Sequence, residues 1–209
     1  MSAKSQASPI SQPYLLLGEG TGENEFFRDL LDEMGIPNVQ VEDYGGKNKL
    51  AGFLKGLTIR TGFDQLQRIA VTRDADDDPE AAAASVRSAI AGAGFPEHLT
   101  VQSMILPGGG RKGALESLWL ESLHGAPFEV CVKQFFACLQ EQGWEPSQLF
   151  SKKDKGLAQV WLATKNPSNE AFHRASAYGR RPQYSAERWV EFTHTAFAPL
   201  REFLTACFA

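Results

Sequence analysis

The stretch Arg73-Asp74-Ala75-Asp76-Asp77-Asp78-Pro79-Glu80 crowds carboxylate upon carboxylate within one short segment. Repulsion among like charges is relieved when they share a cation, and hard divalent ions take oxygen ligands. The segment follows the apolar run Ile69-Ala70-Val71, which reads as a buried strand. The acids are therefore delivered to the carboxyl end of that strand, the edge at which open parallel sheets bind ligands. A second acid has the same placement. Tyr14-Leu15-Leu16-Leu17 is an equally short apolar run and ends in Gly18-Glu19-Gly20, ahead of a helical stretch. Two strand ends carrying acids point to a bound Mg²⁺ or Mn²⁺.

Within the acidic segment, Asp74 and Asp76 are two apart, and on an extended chain both side chains lie on one side. They can share one ion or hold a neighbouring pair. Glu19 and Glu23 are four apart and can flank the start of the first helix, although Glu23 can equally serve only to complement the helix dipole. Asp78-Pro79 has the form of an N-cap and first-turn proline, so capping accounts for Asp78 as well as metal binding does. Glu116, near the start of a later helix, can reach the same edge; a solvated helix face is the competing reading for both Glu116 and Glu121. Glycines and cations come from two further segments, Gly45-Gly46-Lys47 and Gly108-Gly109-Gly110-Arg111-Lys112. Glycine-rich backbone with Lys or Arg cradles phosphate oxygens, so Gly45, Gly46, Lys47, Arg111 and Lys112 are candidate phosphate ligands, with ordinary surface charge as the alternative.

The elements that must position these groups follow from periodicity. Phe26, Phe27, Leu30, Leu31 and Met34 repeat at helical spacing until Gly35 and Pro37 stop them. Asn38 to Tyr44 alternates like a strand, and Leu50, Phe53, Leu54 and Leu57 restore a helical stripe. Arg68 to Thr72 is a third strand, Glu80 to about Ala93 a helix closed by Gly94, and Val101 to Leu106 a fourth strand. Leu115, Leu118, Trp119 and Leu123 mark the helix after it. Four strand-helix alternations predict an α/β fold: a four-stranded, mainly parallel sheet flanked by helices, with right-handed crossovers. In such a sheet every strand-to-helix loop lies on one edge, so the acids and the glycine-cation segments converge there.

Three regions result. Residues 1–13, polar and rich in Ser, Gln and Pro, read as a flexible tail; 14–125 as the α/β domain; and 126–209 as a helical extension packed on it. The extension carries helical patterns over Phe128 to Gln142, about Leu157 to Thr164, and Ala186 to Cys207. Cys131 and Cys138, seven apart on one helix face, read as core thiols.

A net charge of -4 across 209 residues provides no global basic field, so a nucleic-acid partner must be held by local groups or by metal. Cys131, Cys138 and Cys207 form no disulfide framework, and four scattered histidines make no zinc pattern. A reducing cytoplasm is the expected setting. No apolar run approaches the ~20 residues of a membrane span. Gly18-Glu19-Gly20-Thr21-Gly22 imitates a dinucleotide fingerprint, but Glu23 stands at the third glycine position and would repel a pyrophosphate. There is no GxxxxGK[ST], no EF-hand spacing and no GxSxG.

Leu15-Leu16-Leu17-Gly18-Glu19-Gly20 and Asp74-Ala75-Asp76 resemble the Toprim domain of topoisomerases, primases and OLD-family nucleases, and Gly18-Glu19-Gly20, Tyr44-Gly45-Gly46-Lys47, Arg73-Asp74-Ala75-Asp76 and Leu115-Glu116-Ser117-Leu118, taken in order, narrow the resemblance further. The likeness is closer to small stand-alone bacterial Toprim-like proteins of unknown function, and it runs to Ala196-Phe197-Ala198-Pro199-Leu200. Gly18 departs from it, since Toprim strands usually carry a bulkier apolar residue there. The resemblance implies a Toprim-like, Rossmann-like sheet, Mg²⁺ held by Glu19, Asp74 and Asp76, and a role for Glu19 in proton transfer. It does not fix the reaction. The expected activity is Mg²⁺-dependent hydrolysis of DNA or RNA. The competing expectation is a non-catalytic metal- or nucleotide-binding module acting through a partner protein.

Overall fold

Leu15-Leu16-Leu17 and Ile69-Ala70-Val71, the runs without a polar side chain, become adjacent strands at the centre of the sheet, buried on both faces. The computed structural model describes residues 8–122, 129–144, 156–158, 160 and 191–209. Within them the order is β1 (Tyr14–Gly18), α1 (Thr21–Glu33), β2 (Val39–Asp43), α2 (Leu50–Leu57), β3 (Arg68–Asp74), α3 (Pro79–Ala91), β4 (Thr100–Leu106), α4 (Leu115–Ser122), α5 (Glu129–Glu141) and α6 (Ala198–Phe208). The strands form one sheet in the order β2-β1-β3-β4, and every ladder is parallel. The expected α/β architecture is the observed one.

Alternation along the central strands divides the core in two. Leu16 and Ala70 face one side, with Phe26, Phe27 and Leu30 of α1, Leu118 and Trp119 of α4, and Leu200 and Leu204 of α6. Leu15, Leu17, Ile69 and Val71 face the other, with Leu50, Leu54 and Leu57 of α2 and Val86 of α3. Phe26 organises the first side: its ring lies 5.7 Å from that of Trp119 and 5.8 Å from that of Phe197. Arg68, at the start of β3, donates to the carbonyl of Cys207 at 2.8 Å and ties α6 to the edge of the sheet opposite the acids. Burial pushes the Cys207 thiol up to about 11.

Three expectations change. Residues 191–194 are not helical; a 3-10 turn follows at Thr195–Phe197, and α6 begins only at Ala198 with Pro199 in its first turn. Proline lacks the N–H an interior helix position needs but suits the first turn, so the long pattern from Ala186 is broken there. Cys131 and Cys138 are exposed, because α5 buries Val132 and Phe136 instead. The chain before β1 is docked at Ile10, which is 2 % exposed and donates its N–H to the Thr61 carbonyl at 2.9 Å. Residues 1–7, 161–164, 186–190, Lys152 to Lys155 and Arg180-Arg181 lie outside the described residues. Among the described residues no helix is long and apolar enough to cross a membrane.

The capping reading of Asp78 holds: its Oδ1 accepts the Ala81 N–H at 2.9 Å, and Pro79 opens α3. Asp78→Ala is therefore expected to lower stability by about 1 kcal/mol in urea denaturation. It should leave any stabilisation by added Mg²⁺ unchanged.

Candidate functional site

The loops after β1 and β2 are joined by their backbones. Tyr44 donates its N–H to the Gly18 carbonyl at 3.1 Å, and Gly46 donates to the Glu19 carbonyl at 2.8 Å. Gly45 and Gly46 have φ values of 79° and 110°, a region open chiefly to glycine, and this turn brings the second loop back across the first. Below it the buried Tyr44 hydroxyl donates to the Thr72 carbonyl at 3.0 Å, while the Thr72 hydroxyl donates to the Leu17 carbonyl at 3.1 Å. Burial, with the charges of Glu19 and Glu23 adding to it, raises the Tyr44 phenol far above its ordinary value. Its role is structural, fixing β1, β2 and β3 to one another where the acids emerge.

Glu23, in the first turn of α1, folds back so that its Oε2 accepts the Glu19 N–H at 2.9 Å. Gly18 makes this possible. A Cβ at Gly18 would stand 2.9 Å from Glu23 Oε2, 3.2 Å from Glu23 Cβ and 3.3 Å from the Phe27 ring. Glycine rather than a bulkier apolar residue at position 18 thus has a local reason: the carboxyl of Glu23 takes the space.

On the other side, the loops after β3 and β4 are also joined. Asp76 and Gly113 exchange hydrogen bonds of 2.8 and 2.9 Å in an isolated antiparallel bridge, and Ala75 donates to the Leu106 carbonyl at 2.9 Å. Asp74, only 3 % exposed, accepts the Leu115 N–H at the start of α4 at 3.1 Å. Two-residue spacing on an extended chain does not hold as far as Asp76, whose φ of 52° is left-handed. The turn aims Asp76 at the loop after β2, where Lys47 Nζ is 3.1 Å from its Oδ2. Asp tolerates this region better than most residues.

Glu23 is the electrostatic centre of the cluster. Its carboxyl is held well above the ordinary 4.5, first by burial, then by the charge of Asp74, with Glu19 and Glu116 adding to it; the Glu19 N–H acts in the opposite sense. Glu19, Glu23, Asp74 and Glu116 therefore share one neighbourhood. Glu116 is 7 % exposed, which overturns the solvated-face reading: α4 starts against the sheet and turns Glu116 inward, whereas Glu121 faces out. Glu19 Oε2 is buried and has no hydrogen-bond partner among the described residues. Among those residues no three Asp, Glu, His or Cys side chains are already arranged to hold one ion. Glu23 and Asp74 are instead turned onto backbone N–H groups and Asp76 onto Lys47.

The cations are less gathered than the acids. Lys47 reaches the cluster through Asp76, but Arg111 Nη1 pairs with Glu121 Oε2 at 2.8 Å on the surface, and Lys112 is exposed. Asp78 is engaged in capping α3. Two residues that were given no role in the site also belong here. Arg73 has Nε and Nη1 buried without partners among the described residues, beside the Tyr44 phenol. Trp119, expected only as core, lines a pocket of about 210 Å³ with Gly20, Thr21, Gly22, Glu23, Leu115 and Glu116. The sequence carries a signal for Trp119 only in hindsight, three residues beyond Glu116 on one helix face.

The raised Glu23 carboxyl has a pH signature. The unfolded chain loses this proton near 4.5 while the folded chain keeps it, so the fold is favoured at low pH and loses that contribution as pH rises through the folded value. In chelator-treated protein, Glu23→Gln should melt above wild type at neutral pH. The difference should vanish as pH falls toward 4.5 in thermal denaturation, since both side chains are then neutral.

No curated protein matches this chain. Solved structures of the C-terminal region of the Xanthomonas campestris pv. campestris OLD protein are similar to it. The form phased with platinum is 15% identical with a TM-score of 0.41, covering 93% of this chain and 95% of that one. The form phased with iodine is 14% identical with a TM-score of 0.42, covering 93% and 97%. A family model described as "Protein of unknown function (DUF3226)" matches residues 13–209, and the chain belongs to that family.

Proposed function

We propose that the acidic edge of this sheet is a Toprim-type divalent-metal site that hydrolyses phosphodiester bonds in nucleic acid. The observation that carries the reading is Glu19 Oε2, a buried carboxylate oxygen without a partner among the described residues, in a neighbourhood shared with Glu23, Asp74 and Glu116. An uncompensated buried carboxylate is costly, and a cation offsets that cost. The donor set is all oxygen, which suits Mg²⁺ or Mn²⁺ rather than a soft metal. The ordered motifs of the sequence support the same assignment.

Glu19, Glu23, Asp74 and Asp76 would hold the ion or ions, with Glu116 beside Glu23. When bound, such an ion supplies a Lewis acid for phosphate oxygens and lowers the pKa of bound water. To hold an ion, Asp76 would have to leave Lys47, and Glu23 would have to give up its proton to become a ligand. Lys47, once released from Asp76, would be available to a phosphate oxygen, with the Gly45-Gly46 backbone next to it in the chain. Arg111 and Lys112 contribute from the loop after β4, Arg111 once it exchanges Glu121 for phosphate. The proton taken from the attacking water passes to a carboxylate of the cluster, Glu19 being the one assigned.

A second reading, a non-catalytic metal or nucleotide module acting through a partner protein, is favoured by a different observation. Lys47 and Arg111 are both paired with carboxylates, and the net charge is -4, so phosphate attraction is weak. Under either reading, adding Mg²⁺ or Mn²⁺ to chelator-treated protein should raise the melting temperature. At an ion concentration of ~100 Kd the gain is about 2.7 kcal/mol. Asp74→Ala/Asp76→Ala should lose it, and an equal increment in that variant would place the ion elsewhere.

Catalysis separates the readings. Purified protein with Mg²⁺ or Mn²⁺ should cut DNA or RNA, and Glu19→Gln should depress turnover by about a hundred-fold or more while leaving nucleic-acid affinity largely intact. Lys47→Ala/Arg111→Ala should chiefly weaken binding and flatten its salt dependence. If wild-type protein free of contaminating nuclease cuts no single- or double-stranded substrate, the hydrolase reading fails for the isolated chain and the partner-dependent module replaces it.

A further inference from the structure

Lys47 and Asp76 bring the loops after β2 and β3 together, with Nζ 3.1 Å from Oδ2. The main chain is fixed on both sides of this contact. Asp76 is held by its two hydrogen bonds to Gly113, while the turn that presents Lys47 is held by the Gly46 N–H on the Glu19 carbonyl and the Lys49 N–H on the Gly46 carbonyl, both at 2.8 Å. With φ of 52°, Asp76 is turned toward that loop by its own backbone. The ion pair is therefore set by the fold of the two loops.

This pairing bears on any ion held at the edge. Glu19, Asp74 and Glu116 act on Glu23 through their charges, whereas Asp76 Oδ2 is engaged by an ammonium. An oxygen neutralised by a lysine is not on offer to a metal. The side chains are 52 % and 21 % exposed, so water screens the pair and it is weak enough to be broken. A divalent ion brings twice the charge and takes several oxygen ligands at once, which favours it over a single ammonium. Lys49 provides the contrast within the same loop. Its Nζ folds to 3.4 Å from the position a Gly45 Cβ would take, and it makes no ion pair among the described residues.

We propose that Lys47 is a tethered competitor of the metal: its ammonium holds Asp76 until a divalent ion takes its place, and the two exclude each other at that carboxylate. The proposal rests on the metal assignment made above and deepens it by naming how the site is regulated. Without metal the pair masks both members, Asp76 as a ligand and Lys47 as a phosphate contact. Asp76 becomes a ligand only when Lys47 lets go, and Lys47 meets phosphate only when Asp76 is taken. Metal therefore favours phosphate binding, and by linkage a phosphate that captures Lys47 favours the metal. Lys47 acts on the ion through Asp76, so removing its charge should affect the two ligands in opposite directions, tightening metal while loosening phosphate.

The test is calorimetric titration of Mg²⁺ and of Mn²⁺ into chelator-treated protein at fixed ionic strength, with no nucleic acid present. Lys47→Met keeps nearly the length of the side chain and loses the charge. It should bind the ion about two- to five-fold more tightly than wild type, the range set by an exposed ion pair. Lys47→Arg keeps the charge and should show no such gain. Lys49→Met removes an equal charge from the same loop and should give a smaller gain, since only the general field changes. A second readout follows the lysine itself. In protein carrying ¹³C-labelled lysine, the ε-methylene signal absent from Lys47→Met identifies Lys47, and it should move saturably with Mg²⁺ at the midpoint of the calorimetric titration.

Unchanged or weaker metal binding by Lys47→Met, an equal gain in Lys49→Met, or a Lys47 signal unmoved at saturating Mg²⁺ overturns the competitor and leaves the metal assignment standing. Wild-type protein that binds neither ion removes the metal assignment, and the competitor falls with it. Cleavage is not needed for either result, so the exchange can be established in a protein that cuts no nucleic acid.

Discussion

The parallel pairing of β1 with β3 is the constraint on which the rest depends. Both strands are buried on their two faces, so neither can shift register without exposing Leu or Ile side chains to water. Because the pairing is parallel, both strands end at the same edge. Glu19 follows one end directly and Asp74 closes the other. Burial of apolar residues thus forces two acids together that would otherwise separate, and local structure accommodates part of the repulsion by turning neighbouring carboxyls toward donors, while Glu19 Oε2 has none among the described residues. Glu23 turns to the Glu19 N–H, Asp74 to the Leu115 N–H and Asp76 to Lys47.

The same arrangement explains why the fold was largely legible in the sequence while the site was legible only in part. The strands and helices of the first 122 residues announce themselves because their apolar spacing is strict and glycine or proline punctuates each end. Position along the chain was enough to bring Glu19, Glu23, Asp74 and Asp76 to one edge. Orientation was not. The left-handed turn at Asp76 depends on a bridge to Gly113 far along the chain, and no local pattern encodes that bridge. Glu116 was left between two readings for a related reason. Its surroundings in sequence are those of an amphipathic helix, and only the docking of α4 against β3 decides which way it faces. In α5 the stripe of Cys131, Phe135 and Cys138 resembled a core face, but the helix buries Val132 and Phe136, one position along.

Gly18 shows how a missing side chain can be informative. A larger residue would have continued the apolar face of β1 toward Phe27. Glycine gives that space to a carboxyl, which trades packing for a polar group held against the strand end. The gain is a short, backbone-anchored link between β1 and the first turn of α1, and the cost is a carboxyl kept from water and close to three other acids. Polar groups placed at such a cost commonly mark functional sites, since packing alone would not select them.

The four loops at this edge are joined in pairs, β1 to β2 through Tyr44 and Gly46, and β3 to β4 through Ala75, Asp76 and Gly113. Backbone hydrogen bonds of this kind hold the main chain while leaving the side-chain torsions free. A main chain tied in both pairs of loops keeps the strand ends in fixed register, so the shape of this edge is set by which way each side chain turns.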